Sequence, residues 1–187
     1  MTRILVACEF SGIVRDAFLA CGHDAVSCDL EPSEQPGPHI HGDVLAQLGA
    51  GWDLMVAFPP CTHLSASGAR WWPQKQEKQE AALAFVQRLL HAPIPRIALE
   101  NPVGKISTAI RKADQIIQPW MFGDEATKTT CLWLQGLPVL QPTRLVQYRP
   151  QTCWRMGQKR DRARERSRTY PGIARAMAAQ WSLALTP

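Results

Sequence analysis

Leu54-Met55-Val56-Ala57-Phe58-Pro59-Pro60-Cys61-Thr62-His63-Leu64-Ser65-Ala66-Ser67-Gly68 is an apolar run that stops on two prolines and continues into small polar residues. The run reads as a buried strand. Neither proline can donate a ladder hydrogen bond, so the strand ends there and Cys61 follows a rigid turn. In an open α/β sheet the strand ends are where ligands and reacting groups gather. A thiol there is a candidate nucleophile. The alternative is a small apolar core cysteine.

The surrounding sequence repeats this pattern. Arg3 to Cys8 reads as a first strand, followed by a turn at Ser11-Gly12 and helical spacing from Val14 to Cys21. Gly22 ends that helix. Ala25 to Cys28 reads as a second strand closed by Asp29, Ile40 to Val44 as a third, and Asp53 to Ala57 as the one leading to Cys61. Lys75 to His91 carries Ala82, Phe85, Val86, Leu89 and Leu90 at helical spacing. Arg96 to Leu99 reads as a strand ending in Glu100-Asn101-Pro102, and Thr130 to Leu134 as another. Ile106 to Ile117 is mixed, Val139 to Ser167 irregular and basic, and Ile173 to Leu185 a terminal helix. The alternation predicts an α/β fold: a mostly parallel sheet, helices on both faces and right-handed crossovers. Parallel strands share direction. The polar ends Glu9-Phe10-Ser11-Gly12, Asp29, Pro59-Pro60-Cys61 and Glu100-Asn101-Pro102 therefore face one edge.

The chain has 187 residues, enough for one domain with a real core. No run approaches the roughly 20 apolar residues of a membrane span. The N-terminus enters a strand pattern directly, so the expected location is cytoplasmic. Six cysteines show no CxxC pair and no metal-ligand spacing. They fit reduced thiols, with no metal expected. The net charge of +5 is uneven: between Arg144 and Arg168 nine cations face only Asp161 and Glu165. Arginine forks match phosphate oxygens, and Tyr148, Trp154 and Tyr170 nearby are able to stack on bases. The competing reading is a solvated basic loop.

The strand ends suggest chemistry in sequence order. Small residues at Ser11-Gly12 let backbone amides approach a ligand at a helix start. Asp29 closing the second strand is placed to meet ribose hydroxyls, and Asp43 to meet an adenine amino group or to cap a turn. This series points to an adenosine-containing cofactor. Glu100 at a strand mouth is placed to hold a base edge.

In this order the motifs Phe10-Ser11-Gly12, Asp29, Gly42-Asp43, Pro60-Cys61-Thr62-His63-Leu64-Ser65-Ala66-Ser67-Gly68 and Glu100-Asn101 resemble those of the DNA cytosine-5 methyltransferases. The chain also resembles a group of small phage-type proteins of that kind. The resemblance implies a single Rossmann-like domain using S-adenosyl-L-methionine. Glu9, Phe10, Ser11, Gly12, Asp29, Asp43 and Pro59 would line the cofactor site. Cys61 would attack C6 of a pyrimidine, and Glu100 would hold N3 and the exocyclic amine. Pro60, Ser65, Asn101, Lys128, Arg160, Arg162 and Arg164 would meet the nucleic acid, DNA in the first instance. Four departures stand out. Pro102 replaces a valine; Gly12-Ile13-Val14 lacks a second glycine. Glu125 to Thr130 offers only Lys128 where the family has Gln-x-Arg-x-Arg. Only Val139 to Ser167 occupies the place of the long target-recognition region. A free nucleotide, single-stranded nucleic acid or RNA is thus an alternative substrate, and a non-catalytic regulator an alternative function. A homodimer or a partner protein would be a source of target recognition.

Overall fold

Alternate residues of the central strands face two different cores. Ile4, Val6, Leu54, Val56 and Ala98 pack on one side, and Leu5, Ala7, Met55, Ala57, Ile97 and Leu99 on the other. Such two-sided burial is what near-continuous apolar strands require. The computed structural model describes residues 1–150 and 162–185. Its seven strands are β1 (Arg3–Ala7), β2 (Asp24–Asp29), β3 (His39–His41), β4 (Leu54–Ala57), β5 (Arg96–Pro102), β6 (Gln115–Ile117) and β7 (Thr130–Gln135). They form one sheet in the order β3-β2-β1-β4-β5-β7-β6. All pairs are parallel except those made by β7, which is antiparallel to both β5 and β6.

Helices α1 (Ile13–Ala20) and α5 (Pro171–Leu185) cover the first face through Val14, Phe18, Met177 and Trp181. Helix α2 (Gln76–Leu90) covers the second through Val86 and Leu89. The fold is the mostly parallel α/β one expected from the alternation, Rossmann-like as the resemblance implies, and the crossover point lies between β1 and β4. Strand ends there are level: Ala7 pairs with both Cys28 and Ala57, and Ala57 with Leu99. No described helix is long and apolar enough to cross a membrane.

Three expectations are revised. The third strand stops at His41, because Asp43 instead caps a 3₁₀ turn (Val44–Ala46), accepting from the Leu45 N–H at 2.9 Å. The mixed stretch 106–117 divides into short helix α3 (Ile106–Ala109) and edge strand β6. The basic segment, expected to be irregular, ends in helix α4 (Arg162–Ser167).

The missing second glycine of the first turn has a structural counterpart. Arg15 occupies this region and is completely buried. It pairs with Asp16 at 2.8 Å and donates to Ser27, Ser33 and the carbonyls of Gln35 and Pro36. A buried cation is tolerated only when so fully satisfied. It anchors the loop after β2 against α1. Gly12 has φ 77°, and a Cβ there would lie 2.6 Å from the Arg15 guanidinium, so the turn admits only glycine. Arg15→Leu is expected to lower stability by about 3 kcal/mol. Urea unfolding should show a lower midpoint at an unchanged slope.

Candidate active site

Cys61 is exposed, yet its backbone is held on several sides. The Phe58 N–H continues the ladder to the Ala7 carbonyl at 2.9 Å, and β4 then ends at the proline pair. The buried side chain of Asn101 donates to the Pro59 carbonyl at 2.8 Å. The Cys61 carbonyl accepts from Leu64 and Ser65 N–H groups, closing a tight turn. The following residues zip onto the chain beyond β5: Ala66 N–H to Val103 O at 2.9 Å and Lys105 N–H to Leu64 O at 2.8 Å. Gly104 sits at this crossing, and a Cβ there would stand 2.0 Å from the Leu64 carbonyl oxygen. From the other side, α2 contributes Gln79, whose amide donates to the His63 carbonyl at 3.1 Å.

The charges around the sulfur come from three other places in the chain. Protein crowds the thiol, and this desolvation is the largest cause pushing its pKa above the ordinary value. The Glu100 carboxylate pushes the same way, while Lys128 and Arg166 pull it back. Lys128 Nζ lies 3.9 Å from Glu100 Oε1. Its backbone N–H is held by Gln118 Oε1 at 3.0 Å. Cys61, Glu100 and Lys128 therefore lie together around the ends of the neighbouring strands β4 and β5.

Beside it opens a cavity of about 460 Å³. Cys8, Cys28, Asp29, Gly42, Asp43 and Pro60 line it from the strand ends, His63 from the Cys61 loop, and Lys78 and Phe85 from α2. The carboxylates of Asp29 and Asp43 are both felt at Cys8 and Cys28; burial first, then these charges, hold both thiols high, Cys28 at about 11. Asp29 and Asp43 each accept one backbone N–H, from Glu31 and Leu45, at 2.9 Å. Among the described residues, nothing bonds their second oxygens. A largely apolar recess of this size with two carboxylates in its lining suits a cationic adenosine compound. Among the described residues, buried polar atoms without hydrogen-bond partners near the site include Glu9 Oε2, His63 Nδ1 and Asn101 Oδ1. Glu9 is buried beneath the first turn, bonded to Ser11 Oγ, and burial raises its pKa. An orphaned carboxylate oxygen and a lined cavity are the features expected where a ligand completes the structure.

The structure thus gathers Asp29, Asp43, Cys61, Glu100, Lys128 and Pro60 at one edge, with Pro60 on the cavity side. Glu9, Phe10, Ser11, Gly12 and Pro59 form the adjoining turns and are not cavity lining. The Phe10 ring is covered by the Arg164 guanidinium at 4.5 Å. Asn101 braces Pro59, and the Ser65 hydroxyl stays local, 2.9 Å from Ser67 Oγ. Arg164, expected on phosphate, is engaged by Glu34 at 2.8 Å and Glu31 at 3.3 Å. Arg160 lies outside the described residues, and of Arg162 only the backbone belongs to them. Sequence reasoning missed Cys8, His63, Lys78, Phe85 and Arg166. His63 was two residues from Cys61, a usable signal. Cys8 has φ 57°, a conformation its sequence does not announce.

No family model matches the chain, and no curated protein matches it. Two solved structures are similar in fold. One is the Dnmt2 methyltransferase of S. pombe: 16% identity, 72% of this chain and 48% of that one, TM-score 0.48. The other is an E. coli prophage-encoded protein described as a DNA modification methyltransferase: 12% identity, 78% of this chain and 52% of that one, TM-score 0.48. The chain spans about half the length of each.

Two outcomes follow from the electrostatics and the packing. Glu100→Gln removes a charge that holds the thiol protonated. Iodoacetamide alkylation of Cys61 at pH 8 should therefore quicken roughly three- to tenfold; Lys128→Ala should slow it. Peptide mass spectrometry separates Cys61 from the exposed Cys21. Gly104→Ala forces backbone apart and should cost about 2–3 kcal/mol, read as a lower thermal midpoint.

Proposed function

We propose that the chain is an S-adenosylmethionine-dependent methyltransferase acting at C5 of cytosine in nucleic acid, DNA in the first instance, through a covalent bond to Cys61. The observation that carries this reading is the meeting of Cys61 with Glu100 and Lys128 at a strand edge next to an acidic, adenosine-sized cavity. The motif series supports it independently.

Asp29 and Asp43 would hold the ribose and adenine ends of the cofactor, with Pro60 and Phe85 against its apolar surface. Bound there, S-adenosylmethionine supplies an electrophilic methyl group. The remaining work falls to the chain. C5 of a pyrimidine is a poor nucleophile. Addition of the Cys61 thiolate to C6 consumes the C5–C6 double bond and makes C5 electron-rich. After methylation a proton leaves C5, the C6–S bond breaks and the ring regains its double bond. Covalent catalysis of this kind replaces one hard step by easier ones. Glu100 acts on the opposite edge of the ring, at N3 and the exocyclic amine. With its carboxyl group engaged by N3 and the exocyclic amine, its charge no longer opposes thiolate formation. The base and Glu100 together thus activate a thiol that is otherwise held protonated. Lys128 balances the Glu100 charge between turnovers. A base in a duplex reaches Cys61 only by leaving the stack.

One observation favours a second reading of the substrate. Arg164 is committed to carboxylates rather than offered to phosphate, and the region available for reading base pairs is short. Single-stranded nucleic acid, RNA or a free nucleotide would need less of both. A trap decides between them. Incubation with cofactor and 5-fluorocytosine in duplex DNA, single-stranded DNA, RNA or a nucleotide should leave a covalent adduct on the true substrate, because fluorine at C5 cannot leave as a proton does. Cys61→Ser should abolish adduct and turnover while keeping cofactor affinity. A folded protein that binds cofactor but forms no adduct on any of the four would end the catalytic reading.

A further inference from the structure

The loop that carries Cys61 continues past its tight turn into regular structure. Ser65 opens a 3₁₀ helix of nine residues (Ala66–Gln74), its hydroxyl accepting from the Ser67 N–H at 3.3 Å. With three residues per turn, side chains three apart eclipse and consecutive ones point about 120° apart. Trp72 turns back towards the chain beyond β5. Its indole nitrogen is buried, and Lys105 Nζ lies 5.3 Å from the centre of its ring. Trp71 consequently faces out. It is 50% exposed, the only exposed tryptophan among the described residues. The Arg70 guanidinium lies 5.0 Å from the Trp71 ring centre. One turn earlier on the face of Trp71 stands Gly68, with open space where a Cβ would point.

A braced, half-exposed indole offers the flat apolar face that interfaces use. The charge around it identifies the occupant. Between Asp53 and Glu77, and again between Glu100 and Asp114, the chain has no carboxylate. These two stretches are joined here, by the Ala66 N–H to the Val103 carbonyl at 2.9 Å and the Lys105 N–H to the Leu64 carbonyl at 2.8 Å. They bring Arg70, Lys75 and Lys105, and among the described residues none of the three pairs with a carboxylate. An aromatic face among such cations fits a polyanion that carries flat rings, which is a nucleic acid strand. Bases in a duplex are already stacked, so a base that lies on this ring is an unpaired one. From Ser65 to Trp71 the helix rises about 12 Å, the length of three to four stacked nucleotides. Trp71 thus lies beyond the Cys61 turn rather than in it.

We propose that Trp71, braced by Arg70, is a stacking platform for an unpaired base flanking the one presented to Cys61, so that the substrate strand is single-stranded where it crosses this loop. This deepens the methyltransferase reading by naming its substrate class, and rests on it for the role of Cys61. The stacking itself needs no methyl transfer.

The test is a fluorescence-anisotropy titration of the full chain with a labelled single-stranded thymidine oligomer of about 12 nucleotides, within the span of ordinary single-strand sites. The oligomer holds no cytosine, and no cofactor is added. The parent should bind it, and Trp71→Ala should weaken binding roughly five- to hundredfold. Trp71→Phe should keep most of the affinity. Arg70→Ala should flatten the salt dependence, which Trp71→Ala leaves unchanged. The same oligomer paired with its complement should bind more weakly and without regard to Trp71. A uridine oligomer of equal length identifies the preferred sugar, and Trp71-dependent binding of either single strand supports the platform. A folded Trp71→Ala chain that binds both strands as the parent does overturns the proposal. A parent that binds neither strand, or a duplex affinity equally dependent on Trp71, overturns it too. If Trp71→Ala does not fold, Gly68→Leu decides: it fills the open face and should weaken binding, and parental affinity in it overturns the proposal. Trp71-dependent binding with no 5-fluorocytosine adduct would remove the proposed reaction and leave the platform standing. An adduct with binding indifferent to Trp71 would do the reverse.

Discussion

The hydrogen bond from Asn101 to the Pro59 carbonyl joins the two strand ends on which the site depends. A proline pair frees a strand end from the sheet ladder, and a freed end has no inherent direction. The Asn101 amide supplies that direction from the neighbouring strand, in a place where water does not compete. Glu100 immediately precedes Asn101 on β5. The residue that orients the thiol's turn and the carboxylate beside that turn are therefore consecutive, and their relative placement is set by one peptide unit. Gly104 continues the same logic: two backbones run too close for any side chain, which fixes the loop after Cys61 against the loop after β5. Rigid elements placed in this way hold reacting groups to the tolerance that covalent chemistry needs.

Much of this was readable before any coordinates. Apolar runs ending in polar punctuation announced the parallel strands, and shared direction placed Asp29, Cys61 and Glu100 at a common edge. The spacing of Phe85, Val86, Leu89 and Leu90 announced α2. What stayed hidden depended on contacts between distant residues. Nothing in the local pattern says that β7 runs antiparallel, because a short buried strand reads the same in either direction. Asp43 read as both a ligand residue and a turn cap, and it caps a turn while also lining the cavity. Asn101 read as a substrate contact, since a polar residue at a strand mouth looks exposed; only its packing shows that it is buried. Arg164 read as a phosphate ligand because its neighbours in sequence are cations. Its partners Glu31 and Glu34 lie 130 or more positions away.

The same lesson applies to two charged residues near the first turn, Arg15 and Glu34. Arg15 stands where a small residue would suffice for a helix start, and it turns the loop after β2 inward. Glu34 on that loop then catches the arginines of the C-terminal segment. The chain thus relays order from α1 to the loop and from the loop to α4. Each step uses charge in a place partly shut off from water, where a broken pair is costly. The described end of the basic segment, through Arg164 and Arg168, is a structural continuation of this frame as much as a charged surface.

An exposed cysteine is ordinarily a hazard, open to peroxide, to disulfide exchange and to any passing electrophile. All of these attack the thiolate form. Crowding and the Glu100 charge keep the Cys61 sulfur in its quiet protonated form. The molecule therefore carries an exposed thiol in its less reactive form, one that chance oxidants meet protonated and that, on the proposed reading, substrate binding at Glu100 would release.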